Sequence, residues 1–274
     1  MPTSASASTD EDFAHVRSLL RQRAAIVVDD SKDYLIRSRL QPIAHANGFG
    51  SLGDLLGELR RRPTGELSDR VVDAMTTNET SWLRDIHPFE TLAEHVIPEV
   101  AAAKSGPIQI WSAACSSGQE PYSIAMLVTD RHPALASRVK IYATDVSASM
   151  LDKASSGTFT QLEANRGLST QQLMRHFRRK GAHWELNPTI RQMVRFESHN
   201  LDGPFAGIPR SDIVLVRNVM IYFDTPTKQS ILQKVRSVLQ PDGWLVLGAS
   251  ETTVGVDATW RRTVLGKSTF YRPS

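Results

Sequence analysis

The stretch Trp111-Ser-Ala-Ala-Cys-Ser-Ser-Gly-Gln-Glu-Pro121 decides the fold. It continues the apolar run Ile108 to Ser112, which reads as a buried strand, and leads into a helical pattern from Gln119 to Thr129. Small residues between a strand and a helix let a ligand lie against backbone at the helix start. The loop holds one glycine, Gly118, where a dinucleotide site has GxGxxG. Its expected ligand is therefore something other than a dinucleotide.

The same alternation continues along the chain. Val139 to Thr144 reads as a second strand and Ser147 to Ser155 as a helix. A strand from Ile213 to Val216, a helix across Thr227 to Leu239, the turn Pro241-Asp242-Gly243 and a strand from Trp244 to Leu247 follow. Alternating strands and helices predict a mostly parallel sheet covered on both faces, with ligands bound beyond the carboxyl ends of the strands. Upstream, the pattern is helical from Asp12 to about Arg70, broken by NGFGSLG and by Pro63-Thr64-Gly65. Another helical stretch runs from Asp69 to the Thr-Thr-Asn turn, and one more from Pro88 to Ala103. The expected division is a disordered tail over residues 1–10, a small helical domain over 11–75, a linker and helix over 76–106, and an α/β domain over 107–274.

Composition narrows the function classes. A chain that is 41% hydrophobic and 22% charged, with no apolar run near the ~20 residues of a membrane span, is expected to be soluble, without membrane insertion. MPTSASASTD lacks the basic flank and apolar stretch of a secretion signal, so the expected location is cytoplasmic. The lone Cys115 excludes an internal disulfide and a cysteine metal cluster, and the eight histidines have no metal spacing. No metal is expected. A net charge of +3 is too mild to argue for nucleic acid, and no heptad seam argues for more than a monomer.

The strand ends suggest the ligand's chemistry. The second strand closes on Ala143-Thr144-Asp145, and the Asp145 carboxylate can accept two hydrogen bonds from a ribose diol. It can equally cap the helix that begins near Ser147. Glu120 at the helix start would repel a pyrophosphate but tolerate an ammonium or a sulfonium. Together these favour S-adenosylmethionine over NAD.

Met75 to Leu92 (MTTNETSWLRDIHPFETL), Ile110 to Met126 (IWSAACSSGQEPYSIAM), Ile141 to Ala154 (IYATDVSASMLDKA) and Val216 to Phe223 (VRNVMIYF) together resemble the chemotaxis receptor methyltransferases of the CheR family. Leu239 to Glu251 (LQPDGWLVLGASE) is similar too. The resemblance implies a Rossmann-like, S-adenosylmethionine-dependent methyltransferase domain with a small β-subdomain inserted at about 157–197, preceded by a small all-helical domain. The implied reaction moves a methyl group from S-adenosyl-L-methionine to glutamate side-chain carboxylates on the cytoplasmic helices of chemoreceptors. It leaves a methyl ester and S-adenosyl-L-homocysteine. By the same resemblance Asn78, Thr80 and Arg84 contact the cofactor, as do Glu120, the ribose-binding Asp145, the adenine-flanking pair Asn200 and Leu201, and the pair Arg217 and Asn218. Tyr222 lies near the transferred methyl, and Arg84 and Tyr222 are the expected catalytic residues.

Each of these residues also has a plain structural reading. Arg84 can be a surface arginine paired with Asp85 or Glu90, Asn78 and Thr80 can be turn and cap residues opening a helix, and Tyr222 can be a core aromatic. Cys115 is expected to be a small apolar residue, and Trp82 and Trp111 packing residues. The substrate glutamate, with a pKa near ~4.3, is already ionised at neutral pH, so no general base is expected. Seven basic residues against Glu185 between Arg166 and Arg195, and six against three acids between Phe13 and Leu40, can steer the enzyme to an acidic receptor bundle or can be solvated faces. Some family members use the insert to grip a receptor's carboxyl-terminal pentapeptide. In HFRRKGAHWELNPTIRQMVRF the glycine-rich turn is reduced to Gly181, which places that tether in doubt. The rivals are a non-catalytic signalling adaptor with the same fold, which intact motif residues oppose, and an RNA methyltransferase. The RNA reading would need stacking aromatics interleaved with the basic residues, and no nucleic-acid partner is expected.

Overall fold

Thr9 caps the first helix of the structure, a computed structural model that describes residues 8–274. The Thr9 hydroxyl accepts the Asp12 N–H, and the Asp12 carboxylate takes the Thr9 N–H in return, a closed capping box for helix α1 (Asp10–Ala24). The expected tail is therefore too long at its end, because Thr9 and Asp10 already belong to this helix start. Its residues 1–7 lie outside the described residues. Helices α2 (Asp33–Ala46), α3 (Leu52–Arg61) and α4 (Glu66–Met75) complete a helical domain whose own core gathers Phe13, Val16, Leu20, Ile36, Leu40, Leu55, Leu56 and Val71.

The expected helix from Pro88 to Ala103 forms as α5 (His87–Thr91) and α6 (Ile97–Ala103), with a π turn over Leu92–Val96 between them. Strand β1 (Ile108–Ala113) then leads through the small-residue loop into α7 (Gln119–Arg131), and β2 (Val139–Asp145) into α8 (Ala148–Ser156). An inserted sheet of β3 (Thr158–Thr160), β4 (Phe177–Lys180) and β5 (His183–Leu186) follows, with β5 antiparallel to both neighbours. The chain returns to the main sheet with β6 (Val194–Ser198), β7 (Ser211–Val216), β8 (Leu239–Leu247), β9 (Trp260–Leu265) and β10 (Ser268–Pro273).

That sheet has seven strands in the order β6-β2-β1-β7-β8-β10-β9, parallel from β6 to β8 and antiparallel beyond. Strand β1 sits between β2 and β7, so the chain builds outward on one side and then crosses to the other. This reversal opens a crevice beyond the carboxyl ends of β1 and β7. Both faces are covered, which explains the unbroken apolar runs. Ile110, Leu215 and Val246 pack with Phe89, Tyr122 and Trp244 on one face, while Trp111, Val214 and Leu245 pack with Leu232, Val235 and Tyr271 on the other.

Three strands were not anticipated, β6, β9 and β10. The charges in VRFES and WRRTVL belong to the outermost strands β6 and β9, and charged edges hide the apolar signal. The expected turn Pro241-Asp242-Gly243 is instead absorbed into β8 as an irregularity of register between Ser211 opposite Leu239 and Ile213 opposite Trp244. Among the described residues, no helix is long and apolar enough to cross a membrane.

Trp82 binds the insert to the rest of the domain. Its ring packs edge-on against Phe159 and Phe177 of the insert, its Nε1–H donates to the Glu163 carbonyl, and its backbone N–H donates to the Arg166 carbonyl. Gly167, at φ +116°, allows this approach, since a Cβ there would lie 2.2 Å from the Trp82 carbonyl oxygen. Gly167→Ala should destabilise the chain by about 3 kcal/mol, measured as a lower urea midpoint at unchanged m.

Candidate active site

The β1 loop solves its backbone problem with few glycines. Ala114 and Ser116 adopt positive φ values of 54° and 49°, and Gly118 follows at 92°. All seven non-glycine residues with positive φ among the described residues lie in or beside the segments of this crevice: Ala25, Leu83, Asp85, Ile86, Ala114, Ser116 and Asn218. Each costs of order 1–2 kcal/mol unless its surroundings over-determine it, and such strain gathers at functional sites.

A cleft of about 240 Å³ opens at this point, and every residue singled out above lines it: Asn78, Thr80, Arg84, Glu120, Asp145, Asn200, Leu201, Arg217, Asn218 and Tyr222. The sequence reading missed its outer wall. Ala24, Ile26, Val28, Leu35 and Arg39 of the helical domain close one side, so the cleft lies between two domains. The run AAIVV reads as a continuation of the first helix, but α1 ends at Ala24 and Ala25 turns at φ 55°, so Ile26 and Val28 pack against the helical core and also line the cleft.

Asp145 is buried, with one carboxylate oxygen accepting the Ser116 N–H at 2.7 Å and the other the Ser147 N–H at 2.9 Å. The cap of α8 is Ser147, whose hydroxyl accepts from Met150, so the capping reading of Asp145 gives way to one in which it joins the ends of β1 and β2. Burial pushes its carboxyl above the ordinary 3.8, against the pull of those backbone donors. Each oxygen keeps a lone pair for a further donor.

Arg217 is the buried cation of the site, its side chain 1% exposed. It donates to Glu120 at 2.8 Å, to Asp85 at 2.9 Å and to the Arg84 carbonyl at 2.8 Å, and its guanidinium lies over the Phe89 ring. Ser112 donates to the other Glu120 oxygen at 2.8 Å. This pairing corrects the electrostatic argument made for Glu120, which treated its charge as uncompensated. With Arg217 in contact, Glu120 has far less power to repel a pyrophosphate.

Arg84 pairs with neither Asp85 nor Glu90, because Asp85 is held by Arg217 and Glu90 by His87. Its guanidinium donates to the Glu79 carbonyl at 3.1 Å and is half-buried at the cleft. Asn78 and Thr80 lie in the irregular segment between Met75 and Trp82 and open no helix. The Asn78 amide donates to Thr76, and its carbonyl accepts the Ser116 hydroxyl at 3.0 Å. Arg39 supports the same segment from the helical domain, donating to the Met75 and Thr76 carbonyls at 2.8 and 3.0 Å.

Asn200 spends its amide on the Arg23 carbonyl, another link between the domains, while Leu201 packs beside Phe205. Tyr222 is half-buried against the second core cluster and faces the cleft. Cys115 is buried, and burial with the nearby Asp145 and Glu120 charges raises its thiol well above the ordinary range, so it stays protonated and inert. Trp82 and Trp111 are packing residues, each with its indole N–H bonded. The counted basic excesses shrink in space: Arg166, Arg175, Lys180 and Arg195 meet Glu79, Asp130, Glu185 and Glu197, while Arg17, Arg21 and Arg23 meet Asp30, Asp224 and Asp69.

These residues suit a nucleoside with an amino-acid tail. A buried carboxylate at a strand end offers acceptors for a diol, apolar Ile26, Val146 and Leu201 offer a slot for a flat base, and Arg84 offers a forked donor for a carboxylate.

Two family models match the chain. "CheR methyltransferase, all-alpha domain" covers residues 11–76, and "CheR methyltransferase, SAM binding domain" covers residues 78–268. The chemotaxis protein methyltransferase Cher2 of Pseudomonas putida is 43% identical over 251 residues, covering 89% of this chain and 91% of that protein. Chemotaxis protein methyltransferase 1 of Pseudomonas aeruginosa is 43% identical over 250 residues, with 89% and 91% covered. The chemotaxis protein methyltransferase of Escherichia coli is 34% identical over 276 residues, with 97% and 91% covered.

Arg217→Ala should cost about 3–5 kcal/mol, because it strands the Glu120 carboxylate without its buried partner, and chemical denaturation will measure it. If Asp145 accepts the ribose diol as an ionised carboxylate, affinity for S-adenosylmethionine should fall as pH drops, beginning above the ordinary carboxylate value of 3.8. Calorimetric titrations across that window will measure it, and Asp145→Asn should remove the pH dependence together with most of the affinity.

Proposed function

The chain belongs to the CheR methyltransferase family, and from that membership we propose that it methylates glutamate side-chain carboxylates on the cytoplasmic helices of chemoreceptors. It is an S-adenosylmethionine-dependent methyltransferase. One observation carries the reading of the site: residues from segments as far apart as Asn78 and Tyr222 converge on a single cleft at the sheet's reversal point.

Bound there, S-adenosylmethionine supplies an electrophilic methyl group on a sulfonium that leaves readily. In this reading Asp145 takes the ribose hydroxyls, and Leu201 and Asn200 flank the base. Asn78, Thr80, Glu120, Arg217 and Asn218 shape the part of the cleft that holds the amino-acid tail. Arg84 directs its guanidinium at a carboxylate, of the cofactor or of the substrate glutamate. Tyr222 orients the attacking oxygen. The substrate glutamate is already ionised at neutral pH, so alignment and partial exclusion of water do the work, and no base is required.

Steering of an acidic receptor rests on fewer free charges than the sequence suggests, since most of the basic residues are paired within the fold. The insert turns from β4 to β5 at Gly181, with φ +61°. Its short hairpin supports contact with the receptor bundle rather than a pentapeptide grip.

Methyl-labelled S-adenosylmethionine and receptor cytoplasmic fragments should give label that mild alkali releases as methanol. Alkali-stable label would mean a different acceptor. Arg84→Ala should reduce kcat/KM by about 10- to 100-fold, mostly through weaker binding, and wild-type turnover in that variant would remove Arg84 from the site.

A further inference from the structure

Beyond β8 the chain runs Gly248-Ala249-Ser250-Glu251, and the Glu251 carboxylate turns back toward the end of β7. One of its oxygens accepts the N–H groups of Asn218 and Gly248, both at 2.7 Å. The other accepts those of Val219 at 2.9 Å and Met220 at 2.7 Å. A carboxylate has about four lone-pair sites, and here backbone donors fill all of them. Three of the donors are consecutive and start the short 3-10 turn Met220–Tyr222, so the carboxylate acts as its cap from the loop after β8.

Locally the turn has only the Tyr222 and Phe223 N–H bonds to the Val219 and Met220 carbonyls and an asparagine at φ 57°, a conformation that asparagine tolerates. Tyr222 follows one turn later, facing the cleft. The packing around the carboxylate is also close, since a Cβ on Gly248 would meet the Glu251 oxygen at 2.6 Å and the Asn218 nitrogen at 2.8 Å. Glycine is required there for the carboxylate to span the two strand ends.

We propose that Glu251 is the positioning residue for Tyr222: by gathering the N–H groups of Asn218, Val219, Met220 and Gly248 it fixes the turn that carries Tyr222 to the reacting centre. The role rests on the methyltransferase reading above. It demands an acceptor at both oxygens, which glutamine cannot supply, because its amide would set two N–H donors against a backbone donor pair.

The test uses the full chain and a wild-type reaction with receptor fragments; if wild type transfers no methyl, it is the functional reading that fails, and not the role of Glu251. In an active preparation Glu251→Gln should lower kcat by about 10- to 100-fold, the penalty of a reacting group misplaced by about 1 Å, with a smaller loss of affinity for S-adenosylhomocysteine. Tyr222→Ala should lower kcat similarly, and the double variant should be no worse than the poorer single one, because both remove the same contribution. A Glu251→Gln variant with wild-type kcat would overturn the proposal. So would a Tyr222→Ala variant with wild-type kcat, or losses that multiply in the double variant. If Glu251→Gln fails to fold, Gly248→Ala takes its place, since the added methyl pushes the carboxylate off the same donors, and the same three outcomes apply to it.

Discussion

A single buried guanidinium holds the site together. Arg217 leaves the end of β7 and meets Glu120 from the start of α7, Asp85 from the segment before α5, and the Arg84 carbonyl beside it. Without a cation at this point the partly buried Glu120 would lose its ion pair, while the exposed Asp85 would turn to solvent. Without the carboxylates Arg217 would be an unpaired buried charge. The three segments are more than a hundred residues apart in sequence at their extremes, and this ion cluster makes them one surface. The strained backbone beside it is held by further bonds, from the Leu83 N–H to Ser123, the Ser116 N–H to Asp145 and the Asn218 N–H to Glu251.

The architecture around the cluster follows from strand order. Reversal at β1 leaves the ends of β1 and β7 without a crossing connection, so side chains from both project into the same gap. The helical domain then covers the gap. The Asn200 amide on the Arg23 carbonyl and the Arg21–Asp224 ion pair tie it down, while Ala25 packs into the core with Trp111 and Val214, and Val146 packs back against the helical core.

Much of this is written in the sequence in a readable form. Short apolar runs mark β1, β2 and β7 and a 3.6-residue period marks the main helices, because those elements bury whole faces or stripes and little else decides their residues. Edge strands β6 and β9 escape that reading, since their charged residues answer to solvent, and β10, which lies between β8 and β9, escapes it too. The candidate site is legible as residue types in motifs, but its electrostatics is not. Whether Glu120 is a free charge depends on Arg217, ninety-seven residues away, and no local rule reports that contact. Basic residues counted along the insert look like a field, yet their partners Glu79 and Asp130 sit outside the counted window. The capping reading of Asp145 failed for a similar reason. Spacing gave it a helix to cap, while the fold gave that task to Ser147 and left Asp145 to join two strands.

Trp82 lies within the stretch that supplies Asn78, Thr80 and Arg84, yet its ring is part of the hydrophobic interior of the insert. The insert and the cofactor-facing backbone thus share one anchor. A partner that grips the insert and a small molecule that sits in the cleft would pull on the same few residues. Any coupling between the two would be reciprocal, each altering the affinity of the other by the same factor.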